Sequence, residues 1–83
     1  MGMSREYYIA EIKSRFDIDE VKSIVQENIV DTFLDGHFDD KGYITKENIW
    51  DYAKDRTRFM NDDEAIEYIL DNDLLEILEG AFN

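Results

Sequence analysis

The 83-residue chain has no cysteine and no proline, a single histidine, four glycines, and no basic residue after Phe59. Without cysteine there is neither a disulfide framework nor a thiolate metal site, a usage that suits an intracellular protein. One histidine excludes two-histidine zinc sites and the H-E-x-x-H helix. The glycines form no phosphate-cradling loop, and no Gly-flanked serine or cysteine offers a recognisable nucleophile. His37 standing alone is read as a solvated loop side chain rather than a general base. No enzyme activity, catalytic residue or cofactor is therefore expected. No apolar run approaches the ~20 residues of a membrane-spanning helix, nor the apolar core of a secretory signal, so a cytoplasmic protein without a membrane partner is expected.

Hydrophobic residues make up 43% of the chain and include five Tyr, five Phe and one Trp. That is enough apolar material to oppose the entropy of ordering the chain. At this mass folding buries roughly 64% of the extended surface, which means one small core. Met1 and Gly2 read as an expression remnant ahead of a start at Met3, so one acidic helical domain over 3–83 is expected.

Apolar residues recur at spacings of three and four almost throughout, which predicts an all-α fold: a compact bundle of about five short helices with no sheet. In SREYYIAEIKSRF, Tyr8, Ile12 and Phe16 fall one turn apart, Ile9 widens the stripe, and Ser4 is the N-cap. Asp17 and Glu20 have the capping-box spacing, opening a second helix whose apolar face is Val21, Ile24, Val25, Ile29, Phe33 and Leu34. Gly36 ends it. A third helix is expected from Thr45 as N-cap, with Ile49, Trp50 and Ala53 inward and Lys54, Arg56 and Arg58 near the negative pole at its end. Capping spacings at Asn61/Glu64 and Asp73/Glu76 divide the remainder into helices over about 62–71 and 74–81. Unbroken helix there would place Asp73 within the arc of Ile66, Leu70, Leu74 and Ile77. Gly80 is expected to fray or end the last helix.

The segment HFDDKGYITKEN, residues 37–48, resembles the calcium loop of an EF-hand. Gly42 falls on the turn glycine, Ile44 on the hydrophobic eighth position, Asp39 on the third and Thr45 on the ninth. The sequence departs from the pattern at His37, Lys41 and Asn48, where the family places main ligands. No metal site is expected; a cation held here would take its oxygens from Asp35, Asp39, Asp40 and Glu47.

Nine basic against 21 acidic residues give a net charge of −12. Residues 1–34 carry four basic and seven acidic side chains, whereas residues 35–83 carry five and 14. Phosphate backbones and anionic membranes repel such a chain, and a basic protein surface attracts it over about a Debye length, ~8 Å at physiological salt. The aromatic residues do not alter this, because base-stacking proteins set them along a positively charged groove. Direct nucleic-acid binding is not expected.

The acids after Phe59 are Asp62, Asp63, Glu64, Glu67, Asp71, Asp73, Glu76 and Glu79. Helix-start preference accounts for Asp62, Asp63, Glu64, Asp73 and Glu76. It does not account for the missing Lys and Arg, since a solvated helix ordinarily mixes signs and gains i,i+4 pairs. Drawn out as helix, the segment carries a charge about every 4 Å over ~35 Å, close to the 3.4 Å spacing along a DNA strand. These eight residues form the expected partner-binding face, and the expected partner is a protein with a basic, nucleic-acid-binding type of surface. In broad style, by composition alone, the chain is similar to phage-encoded DNA-mimic inhibitors of restriction or CRISPR nucleases. A cation-binding module at 35–47, or an adaptor working through an apolar patch, are the alternatives.

Overall fold

Helix α2, Ile18–Leu34, is the element against which the others assemble. The computed structural model describes residues 4–36 and 44–82, and in it α1 (Arg5–Arg15), α2, α3 (Ile49–Arg58), α4 (Asp62–Asp71) and α5 (Leu75–Phe82) form an all-α bundle. Helices α3, α4 and α5 pack on α2, and α1 packs on α4. No helix among the described residues is long and apolar enough to cross a membrane.

The centrality of α2 follows from its pattern. Val21, Ile24, Val25, Ile29 and Val30 are all buried, so its apolar arc is wide enough to serve three neighbours. Facing them are Ile49 and Ala53 of α3, Ala65, Ile66 and Ile69 of α4, and Leu78 of α5, with Ile12 and Phe16 closing the α1 side. Each large aliphatic side chain buried there contributes roughly 1.5–3 kcal/mol of transfer free energy. One polar group lies within this core. The Thr57 hydroxyl donates to the Ala53 carbonyl at 3.1 Å and accepts from Gln26 Nε2 at 2.9 Å, tying α3 to α2 with no orphaned partner. The Tyr68 phenol donates to Asn28 Oδ1 at 2.7 Å and joins α4 to α2; burial pushes its pKa up.

The helix starts are set by side chains. Ser4 Oγ accepts from the Tyr7 amide at 3.3 Å, and Glu20 accepts from the Asp17 amide at 2.9 Å. At α4 the reciprocal pair is complete: Glu64 N–H to Asn61 Oδ1 at 2.8 Å and Asn61 N–H to Glu64 Oε1 at 3.0 Å. Gly36, with φ +79, ends α2 in the left-handed region that glycine enters at little cost.

Several expectations are corrected. Helix α3 starts at Ile49 rather than just after Thr45, because residues 46–48 form a turn in which the Thr45 amide donates to Asn48 Oδ1 at 2.7 Å. Tyr8 and Trp50 lie 40% and 46% exposed rather than inward, since α1 and α3 each bury a stripe narrower than their apolar spacing allows, and Leu34, the last residue of α2, lies 54% exposed. Gly80 lies inside α5, which continues to Phe82.

Asp73 is not an N-cap. It adopts φ +56 in a Schellman turn closing α4, with Leu74 N–H to Ile69 O at 2.9 Å and Asp73 N–H to Leu70 O at 3.4 Å. An L-residue there costs roughly 1–2 kcal/mol, and glycine loses about 0.4–1 kcal/mol of that gain through its freer unfolded chain. Asp73→Gly is therefore expected to raise stability by ~0.5–1 kcal/mol, read as a higher urea midpoint at unchanged slope. A lower midpoint would mean that the carboxylate itself holds the turn.

Candidate protein-docking surface

The bases missing from the acidic carboxyl-terminal segment come from α1. Arg5 pairs with Asp71 and lies 3.9 Å from Glu67, while Lys13 pairs with Asp63. Both spans are eight residues, so α1 runs antiparallel to α4 in matched register. Arg15 then reaches Glu79 at 2.8 Å, which means α5 turns back toward the carboxyl end of α1. The hydrogen bond to Asp63 is the main cause that raises the Lys13 pKa above its ordinary value. These pairs are solvent-exposed and individually weak, yet together they lay a cationic strip along the acids.

The eight sequence-nominated acids are thereby divided. Asp63, Glu67, Asp71 and Glu79 are compensated by α1. Glu64 is committed by one oxygen to the Asn61 amide. Asp62, Asp73 and Glu76 are exposed and belong to no ion pair among the described residues. The folding back of α5 also breaks the single ~35 Å row of charge that an extended helix would present.

A different surface keeps its charge. Glu27 and Asp31 of α2 line a shallow seam with Ile24, Asn28, Leu74 and Ile77. Ile77 is 54% exposed. Asp35 caps the carboxyl end of α2, whose last turn has no basic residue. Among the described residues neither Glu27, Asp31 nor Asp35 has an ion-pair partner. Asp31 and Asp35 sit at the negative pole of α2, where a carboxylate is unfavourable by about 0.3–1 kcal/mol. Sequence reading missed this surface by weighing charge within the carboxyl-terminal segment; the usable signal was acid at a helix end that favours base.

Two of the three cations of α3 are engaged by neighbouring aromatic and acidic side chains. Arg56 donates to the Tyr52 hydroxyl at 2.9 Å and lies over its ring, and Arg58 pairs with Asp55 at 3.2 Å and stacks on Phe59. Beside them a groove of about 480 Å³ opens between α3 and α4, lined by Tyr52, Asp55, Arg56, Phe59, Met60 and Glu64.

Of the cation candidates, Asp39 and Asp40, with His37, lie outside the described residues. Asp35 and Glu47 are exposed, and no group of three metal-ligating side chains occurs among the described residues. Comparison with protein-family models, curated proteins and solved structures finds no match to this chain.

Proposed function

We propose that this is a non-enzymatic binding protein that docks through a carboxylate-rich surface on a basic surface of a partner protein. The observation that carries the reading is the placement of Asp31 and Asp35 at the end of α2 that disfavours them, exposed and without counter-ions among the described residues, beside the exposed Leu34 and Ile77. Acids at 62–64 stabilise the start of α4 and need no further reason; acids at 31 and 35 oppose their helix. A cationic partner would relieve that opposition on binding.

The narrower form, inhibition of a nuclease or another nucleic-acid-binding protein by imitation of phosphate charge, draws on the net charge of −12. The compensation of Asp63, Glu67, Asp71 and Glu79 by α1 moves the charge available for such imitation from α4 to the α2–α5 side. Neither nucleic acid nor an anionic membrane is a partner in this reading, because both repel the chain.

Retention of host proteins on the immobilised chain tests it. Capture of a basic partner is expected at 50 mM salt and is expected to fall at least tenfold by 200 mM, as screening shortens the reach of the charges. The variant Glu27→Gln/Asp31→Asn/Asp35→Asn/Glu76→Gln is expected to lose a comparable factor, whereas Glu67→Gln/Asp71→Asn changes retention little. Retention indifferent to salt and to the four-site variant would remove the proposal.

A further inference from the structure

Helix α1 is fastened to the rest of the molecule chiefly by charge. Of its eleven residues only Ile12 is buried, with Ile9 partly so, while Tyr7 and Tyr8 are exposed. Ile12 and Phe16 are the two of fifteen buried apolar side chains among the described residues that precede α2, so the other thirteen form a core without the helix. A cleft of about 170 Å³ opens beneath it, lined by Lys13, Phe16, Ile18, Val21, Asp62 and Ile66, and the side chains facing that space forgo the dispersion contacts of close packing. The polar fastenings are all exposed to solvent. Arg5 holds Asp71, Glu67 and, at 3.3 Å, the Glu67 carbonyl; Lys13 holds Asp63, and Arg15 holds Glu79.

The link to α2 leaves the helix free to move. Phe16 and Asp17 are both extended, and the Asp17 amide is satisfied by Glu20 at 2.9 Å, so the start of α2 keeps its cap whether or not α1 is seated. Residues 5–15 carry three bases and two acids, a net of +1, against −13 for the rest of the chain. On α4 they cover Asp63, Glu67 and Asp71, a row at four-residue intervals, ~6 Å apart along one face. Apolar contact does not depend on screening, whereas attraction between exposed charges reaches ~30 Å at 0.01 M ionic strength and ~3 Å at 1 M. We propose that α1 is a charge-latched arm that masks the acidic row of α4 at low ionic strength and swings off as ionic strength rises, while α2–α5 stay folded. Opening of one element ahead of the rest is the ordinary behaviour of a segment with few buried contacts. The arm acts on other carboxylates than those of the docking surface and makes their display conditional on the ionic medium.

The test is amide hydrogen exchange on the whole ¹⁵N-labelled chain in 10 mM, 100 mM and 1 M sodium chloride, each normalised to exchange in unstructured peptides at the same salt. Protection at Ile12 and Lys13 is expected to fall at least tenfold between 10 mM and 1 M, while protection at Val25, Ile29 and Ile69 does not fall. Arg5→Gln/Lys13→Gln/Arg15→Gln, which keeps helix propensity, is expected to lose the α1 protection already at 10 mM and to show no further fall with salt. Ile12→Val, which trims the buried apolar contact, is expected to lower α1 protection by a similar factor at each salt and to leave the ratio between them unchanged. Protection in α1 that does not respond to salt would mean that apolar packing holds the arm, and would overturn the proposal. Loss of protection in α1 and α2 together, by the same factor, would mean that the bundle opens as one unit and would overturn it as well. So would global unfolding of the three-glutamine variant, seen as lost protection at Val25 and Ile29, because α2–α5 would then depend on the arm.

Discussion

Ile69→Ala is expected to lower the unfolding free energy by ~2–5 kcal/mol, measured by urea denaturation. Ile69 is fully buried at the α4–α2 contact, and its carbonyl also accepts the Leu74 amide that closes the turn into α5. The truncation leaves a cavity in the buried core cluster to which Ile69 belongs. An 83-residue domain has a total stability of roughly 4–12 kcal/mol at 0.05–0.15 kcal/mol per residue, so the variant stands near the margin of folding at 37 °C. The exposed Ile77 is the internal control: Ile77→Ala is expected to cost less than ~1 kcal/mol. Equal costs at the two sites would contradict the packing of α4 on α2.

Reversing the α1 cations together, Arg5→Glu/Lys13→Glu/Arg15→Glu, is expected to lower the melting temperature by roughly 5–20 °C in 20 mM salt. Each reversal subtracts two charges, so the three together take the net from −12 to −18. Attraction at Asp63, Glu67, Asp71 and Glu79 becomes repulsion, worth about 1–3 kcal/mol over the strip at ~4–8 °C per kcal/mol for a domain of this size. At 1 M salt the Debye length is ~3 Å, and most of the loss is expected to return. Reversal of Lys22, Lys46 and Lys54, which form no ion pair among the described residues, has the same effect on net charge and is expected to cost clearly less. Identical losses in the two triple variants would show that bulk charge, not the α1 strip, is what matters.

The helices were legible because their signals are local. Ser4, Asp17 and Asn61 mark helix starts by a side chain within three residues of the amide it serves, and Gly36 marks a stop by its own conformation. Thr45 misled because the turn it opens is one residue short of helix geometry and Asn48 closes that turn first. Asp73 and Glu76 have the spacing of a cap, but the Schellman turn closing α4 claims Asp73 before α5 begins. Tyr8, Trp50 and Leu34 have the periodicity of core residues. A neighbour's width, which periodicity does not encode, decides whether such a residue is covered.

Charge behaves in the opposite way. Composition alone determined the net charge of −12, because net charge is a sum that folding does not change. Which carboxylates remain uncompensated was decided by the antiparallel seating of α1 on α4, since Coulomb compensation depends on distances between residues fifty or more positions apart. The same holds for the groove at Phe59: an aromatic after a basic helix end is visible in the string of letters, but only the angle at which α4 leaves α3 turns it into a lined cavity rather than a core side chain.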